Sequence, residues 1–138
     1  MKQALNILCL LLLLIGAASC TSERIEPDYR DKLTGSYEVS ENYVTDSEQR
    51  TYLYTVQVER SDRGKNYLVL KNILNSGKQV EVLLTGDIFT AEPIELKNIR
   101  GQYSLTISVW GEISEDGFEF QFESPDGSVQ GSATTAKN

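Results

Sequence analysis

Residues 103–109 read YSLTISV, and residues 118–123 read FEFQFE. Apolar and polar side chains alternate in both stretches, which is typical of β-strands that bury one face and expose the other. The loop at residues 114–117 is short and ends on glycine, so the two strands should pair as an antiparallel hairpin. We expect one continuous buried wall across this pair, formed by Tyr103, Leu105, Ile107, Val109, Phe118, Phe120 and Phe122.

The rest of the chain repeats this pattern in shorter or less regular form. Strand-like segments occupy residues 35–43, 51–59, 66–74, 79–85 and 128–135, with a short segment at 88–89. Turns rich in glycine, asparagine and aspartate separate them, and Pro93 should limit strand pairing where it sits. Only residues 27–33 suggest a helix, of a single turn, because proline favours the first helical position.

These segments predict an all-β domain, a single antiparallel meander of seven to eight strands with no long crossover. Such a meander either closes into a barrel, which removes its exposed edges, or packs as a two-sheet β-sandwich. Gly35 and Tyr37 place a Gly-x-aromatic motif at the start of the first strand. This motif resembles that of the lipocalin-like (calycin-type) barrels, particularly the small lipocalin-like bacterial lipoproteins. The resemblance implies an eight-stranded barrel over residues 28–138.

The most apolar run of the chain lies near its N-terminus. Lys2, an apolar core at residues 7–15 and a small-residue exit predict a secretory signal peptide over residues 1–19. The run is shorter than the roughly 20 apolar residues of a membrane-spanning helix. Its exit, residues 17–20, reads AASC and resembles the lipobox of bacterial lipoproteins. The resemblance implies cleavage before Cys20 and acylation of Cys20 by diacylglycerol and a further fatty acid such as palmitate.

The use of cysteine favours lipidation of Cys20. Cys9 lies inside the predicted signal peptide, so the mature chain would keep Cys20 alone and could form no internal disulfide. The alternative is an ordinary signal peptide that leaves Cys20 as a free thiol, which is a liability in an oxidising compartment. We therefore expect an exported protein, with residues 20–27 as a short tether to a bacterial outer membrane, at its periplasmic or cell-surface face.

Composition excludes several functions. The chain carries 20 acidic and 13 basic residues, a net charge of −7, so we expect no binding to nucleic acid. It contains no histidine, which removes Ser-His-Asp and Cys-His catalysis and the commonest transition-metal ligand. The Asp-Gly pairs at 116–117 and 126–127 fit hairpin turns better than calcium loops. We expect no enzyme activity, no catalytic residue, no metal and no cofactor.

The positions of the aromatic residues allow two interpretations. They would either line a barrel cavity that holds a small amphipathic ligand, or fill a packed core. The candidate ligand-lining residues are Tyr37, Tyr52, Tyr54, Tyr103, Phe118, Phe120 and Phe122. Trp110 breaks the alternation of its strand, so it should either face outward, as part of a contact surface, or mark a bulge beside Gly111.

Together these features predict a lipid-anchored, non-enzymatic protein of the cell envelope that acts as a binding or accessory module. One alternative is a carrier of a small hydrophobic or amphipathic ligand inside the barrel. A second is a hydrolase that uses carboxylates in a surface cleft, which needs two acids facing one cleft. The expected partners are the membrane, through the anchor, and a small ligand or another envelope protein.

Overall fold

The computed structural model describes residues 27–138, which form a closed antiparallel barrel of eight strands. The strands are Gly35–Thr45 (β1), Gln49–Arg60 (β2), Tyr67–Lys71 (β3), Gln79–Thr85 (β4), Ile88–Ile99 (β5), Gln102–Ile113 (β6), Phe118–Glu123 (β7) and Val129–Lys137 (β8). Short 3₁₀ turns at Tyr29–Lys32 and Ile73–Asn75 precede β1 and link β3 to β4. No helix in this part of the chain has the length and apolar character needed to cross a membrane. The predicted signal peptide, Cys20 and the tether up to residue 26 lie outside the described residues.

Each strand pairs with the next along the chain, and β8 pairs with β1 to close the barrel. The predicted all-β meander is therefore confirmed, in its barrel form and not as a two-sheet sandwich. The single helical turn expected at residues 27–33 is also present, as the 3₁₀ turn Tyr29–Lys32.

The hairpin of β6 and β7 has the predicted pairing. Phe122 lies opposite Val109, Phe120 opposite Gly111, and Phe118 opposite Ile113. All three phenylalanines are buried, and the acidic and amide side chains between them are exposed. The alternation therefore fixed the register correctly, because a slip of one residue would turn every phenylalanine out to water.

Tyr103 does not belong to the buried wall, and its predicted place there is wrong. Its side chain is 78% exposed. The pairing of β7 with β6 begins only at Ser108, so the first residues of β6 pair with β5 alone. Tyr103 lies near the tip of that hairpin, where the Lys97 ammonium is 5.6 Å from the centre of its ring. Alternation indicates the face of a strand but not where the barrel core ends.

Strand β5 is much longer than the short segment expected at residues 88–89. It extends through Pro93, which has no N–H to donate. The register shifts between Ala91 and Ile94, so Pro93 sits in an irregularity where the ladder needs no hydrogen bond from it. Strand β3, by contrast, ends at Lys71, and the apolar residues Ile73 and Leu74 are buried in a 3₁₀ turn.

We call the end of the barrel where β1 begins the floor, and the opposite end the mouth. The 3₁₀ turn Tyr29–Lys32 lies at the floor, and Asp28 caps it by accepting the Arg30 backbone N–H at 3.0 Å. The Arg30 guanidinium is buried and also bonds the Asp28 carboxylate. It donates at 2.7–3.0 Å to the backbone carbonyls of Ser61, Gly64 and Tyr67. Arg30 therefore ties the chain entering β1 to the loop between β2 and β3.

Candidate functional site

Five side chains meet at the mouth of the barrel, and we call them the mouth cluster: Glu41, Tyr43, Tyr52, Tyr54 and Arg100. Strand β1 supplies Glu41 and Tyr43, and β2 supplies Tyr52 and Tyr54. Arg100 comes from the turn between β5 and β6, across the barrel. The cluster therefore unites one carboxylate, one guanidinium and three phenol rings from three places in the chain.

Glu41 occupies an inward position of β1, between the buried Val39 and Tyr43. Its side chain is fully buried, and it accepts hydrogen bonds from the Tyr54 hydroxyl and from the Arg100 guanidinium. Burying an unpaired carboxylate is very costly, so these two donors stabilise the buried carboxylate of Glu41.

Arg100 fills the space among the three rings. Its guanidinium carbon lies 3.5 Å from the centre of the Tyr52 ring, 5.1 Å from that of Tyr43 and 6.0 Å from that of Tyr54. Its side chain is only 4% exposed, and it also donates to the Leu74 carbonyl at 3.0 Å. These distances lie within the range of cation–π attraction, which grows when the cation is removed from water.

Two phenol groups of the cluster are unusual. Burial, followed by the charge of Glu41 and the hydrogen bond to it, raises the pKa of Tyr54 far above its ordinary value, so its hydroxyl stays protonated as a donor. Burial also raises the pKa of Tyr43. The Tyr43 hydroxyl is buried and has no hydrogen-bond partner among the described residues, which is uncommon for a buried polar atom.

The candidate ligand-lining residues lie in three different places. Tyr52 and Tyr54 belong to the mouth cluster, and Tyr103 lies outside the barrel. The remaining four lie buried together: the Tyr37 ring is 5.0 Å from that of Phe118, and the rings of Phe118, Phe120 and Phe122 follow one another at 5.8 and 6.3 Å. The Tyr37 hydroxyl donates to the Leu33 carbonyl at 2.6 Å. Aromatic packing therefore occupies the interior around β7.

Sequence reasoning missed Glu41 and Arg100. A signal for Glu41 was present, because it stands at an odd position of β1, on the same face as Tyr37, Val39 and Tyr43. An acid on the apolar face of an alternating strand indicates a buried, partnered charge. Arg100 had no such signal, since it stands in a turn, and only the closure of the barrel brings it to Glu41.

A second feature lies on the outer wall, and we call it the outer patch: Leu83, Ile88 and Trp110. Leu83 of β4 lies opposite Thr90 of β5, and Thr90 lies opposite Trp110 of β6. Ile88 is two residues from Thr90 on the same face, so the three apolar side chains surround one threonine. They are 39%, 52% and 36% exposed. Trp110 therefore faces outward, in regular register, and the alternative of a bulge beside Gly111 is not observed.

The outer surface of the barrel also has concave areas. Ile88 and Trp110 line a depression of about 480 Å³, together with polar side chains of β7 and β8. A larger depression of about 580 Å³ lies outside β8, β1 and β2, around the exposed Leu53. Most of the other side chains that line it are polar or charged.

The acidic residues show no sign of a metal centre. Residues 27–138 contain no group of three or more Asp, Glu, Cys or His placed to hold a metal ion. Asp126 instead accepts hydrogen bonds from Ser124 and Ser128 in the turn between β7 and β8, and these lower its pKa to about 2. This pattern is that of an acid stabilising a hairpin turn.

No protein-family model matches this chain, and no curated protein matches it. Among solved structures it is similar to a redesigned β-barrel, with 14% sequence identity and a TM-score of 0.45, over 78% of this chain and 93% of the other. The functional proposals therefore rest on this chain's own residues and contacts.

Proposed function

We propose that this protein is a lipid-anchored, non-enzymatic binding module of a bacterial cell envelope, and that its outer patch binds another envelope protein. In this proposal Cys20 carries the lipid, and the barrel is of the lipocalin-like lipoprotein type. Residues 21–27 would keep the barrel within roughly 25 Å of the membrane, at no more than about 3.5 Å per residue.

The outer patch is the observation that favours a protein as the partner. An exposed tryptophan near two exposed aliphatic side chains is costly to leave in water, and clusters of exposed apolar side chains mark interaction sites. Aromatic residues, tryptophan above all, dominate the binding energy of protein interfaces. The surrounding rim is polar, with Gln121 and Glu112 on the same wall, as interface rims are.

The two alternatives have less support. A carrier would need room inside the barrel, but the rings of four buried aromatics pack there against one another. A carboxylate hydrolase would need two acids facing one open cleft. Glu41, the one fully buried acid of residues 27–138, is bonded to Arg100 and Tyr54 instead.

The lipid anchor is tested by metabolic labelling with a clickable fatty acid. We expect label on the wild type and on Cys9→Ser, since Cys9 would be removed with the signal peptide. Cys20→Ser should carry no label and leave the membrane fraction, with its fold intact. Equal labelling of Cys20→Ser would contradict the anchor.

The outer patch is tested by photocrosslinking in living cells. A benzophenone amino acid at position 110 should give one discrete protein adduct, identified by mass spectrometry. The matched control is position 57, an exposed residue of β2 on the opposite side of the barrel. Adding Ile88→Asp should abolish the adduct at 110. The same adducts from both positions, or an adduct that Ile88→Asp leaves unchanged, would contradict the proposal.

A further inference from the structure

The mouth cluster has the composition of a site for an organic cation. Three tyrosine faces, one carboxylate and the Leu74 carbonyl surround a single guanidinium. Aromatic faces combined with a carboxylate are how proteins recognise such cations. Here the occupant of this cage is a side chain of the protein itself.

Arg100 is held differently from the other buried arginine. At the floor, Arg30 donates to three backbone carbonyls and to both oxygens of its neighbour Asp28. Most of the groups that bind Arg30 are backbone carbonyls in fixed positions, which is typical of an arginine that links two parts of a fold. Arg100 is held mainly by side chains of β1 and β2, whose ring faces and carboxylate would serve any flat cation equally well.

The segment that carries Arg100 is attached to the barrel on few sides. Strand β4 pairs with β5 only up to Thr90, and β7 pairs with β6 only from Ser108. Residues 91–107 therefore form a two-stranded arm whose strands pair only with each other. A two-stranded ribbon is marginally stable by itself. The inward Leu96, Ile99 and Leu105 are buried and anchor the arm up to the turn that carries Arg100.

The tip of the arm is a two-residue hairpin turn. Ile99 pairs with Gln102, and the two loop residues, Arg100 and Gly101, have φ angles of 51° and 80°. Positive φ at both loop residues is typical of the turns that match the twist of paired strands. This turn carries Arg100 to the mouth cluster.

Arg100 is also an incomplete occupant. The Tyr43 hydroxyl, in a residue that is 1% exposed and whose ring faces the guanidinium, is left without a partner. Arg100 therefore leaves this hydroxyl of the cluster without a hydrogen bond within residues 27–138.

We propose that the mouth cluster is a binding site for a guanidinium group, which Arg100 fills in the closed barrel and vacates when an external guanidinium enters. The ligand is either a small free guanidinium compound or an arginine side chain of a partner peptide. This proposal is independent of the outer patch, which lies on the outside of β4, β5 and β6.

The first experiment uses the purified full chain in detergent. Arg100→Ala vacates the cage. Methylguanidinium at millimolar concentration should bind this variant saturably and raise its melting temperature by several degrees, while methylammonium at equal ionic strength should not. Arg100→Ala/Glu41→Gln should lose the effect. Arg30→Ala, the matched control at the floor, should show none.

The second experiment uses the wild type and remains decisive if Arg100→Ala does not fold. The Nε–H resonances of ¹⁵N-labelled arginines are followed by NMR, and Arg100 is assigned by the signal missing from Arg100→Lys. Adding methylguanidinium, or a blocked arginine dipeptide, should shift or abolish the Arg100 signal and leave that of Arg30 unchanged. At least tenfold tighter binding of the dipeptide would assign the site to a partner's arginine, and equal binding to a small compound.

Either assignment supports the proposal. An Arg100 signal that neither probe moves would overturn it, even if Arg100→Ala binds methylguanidinium, because Arg100 would then be a permanent structural occupant. A shift of the Arg30 and Arg100 signals together would also overturn it, as a general effect of the salt.

Discussion

Arg100 donates to Glu41 across the mouth of the barrel, although the two residues are 59 positions apart in the chain. Both side chains are almost fully removed from water. A buried ion pair of this kind contributes little net stability, since the cost of desolvating the charges offsets their attraction. It brings the turn between β5 and β6 against β1, and its energetics can be separated by mutation.

Replacing one partner of this pair should be far worse than replacing both. Glu41→Met leaves the guanidinium of Arg100 buried without its carboxylate, and we expect a loss of about 3–5 kcal/mol in the free energy of unfolding. Glu41→Met/Arg100→Met should recover most of that loss, because two apolar side chains of similar size can pack there. Urea denaturation measures both. A double variant that loses the sum of the single losses would contradict the pairing.

Phe120 tests the packing of the interior. It is 1% exposed and its ring lies between those of Phe118 and Phe122. Truncation to alanine should cost about 3–5 kcal/mol, because it removes buried apolar surface and leaves a cavity. Gln121→Ala, on the exposed face of the same strand, should change stability by no more than about 0.5 kcal/mol. Similar small effects of both substitutions would mean that the interior is hollow.

Gly131 tests the close approach of β8 to the aromatic core. A Cβ atom there would lie 2.3 Å from a ring carbon of Phe122 and 2.4 Å from the Asn42 carbonyl oxygen. Gly131→Ala therefore forces the ring or the strand to shift. We expect the free energy of unfolding to fall by about 1–3 kcal/mol, the usual cost of overpacking. The neighbouring exposed Ser132→Ala serves as control. Thermal unfolding should show a clearly lower melting temperature for Gly131→Ala alone.

Asp28 should make stability at the floor depend on acid pH. Its hydrogen bonds with Arg30 lower its pKa from an ordinary 3.8 to about 2. Because the pKa is lower in the folded state, the carboxylate stabilises the fold above pH 3.8, and this contribution is lost as the pH falls towards 2. Asp28→Asn, which keeps the helix cap, removes the charge at every pH.

We therefore expect the wild type to be more stable than Asp28→Asn near neutral pH, and the difference to shrink on acidification. Urea denaturation at several pH values measures it. Asp62→Asn, in the exposed loop between β2 and β3, is the control for the loss of a surface charge at neutral pH. A difference that stays constant down to pH of about 2 would contradict the role of the carboxylate.

Much of the barrel follows from local patterns. Alternation placed Phe118, Phe120 and Phe122 on the buried face, and the short loop before them forced the pairing of β6 with β7. Those inferences succeed because a strand has a period of two and a short loop leaves its strands few ways to pair. Such inferences fail at the ends of strands. Alternation alone wrongly places Tyr103 in the buried wall. It also predicts only a short strand at residues 88–89, whereas β5 runs through Pro93.

By itself the sequence determined an all-β meander, its turns and the faces of its strands, because these depend on neighbouring residues and on the burial of apolar side chains. It also determined the expectations for Cys20, which rest on residue order alone. Only the tertiary structure decided that the meander closes as a barrel, that Trp110 shares an outer face with Leu83 and Ile88, and that Arg100 reaches Glu41 among three tyrosines. Those contacts depend on the pairing of β8 with β1 and on the different lengths of neighbouring strands, which no local pattern specifies.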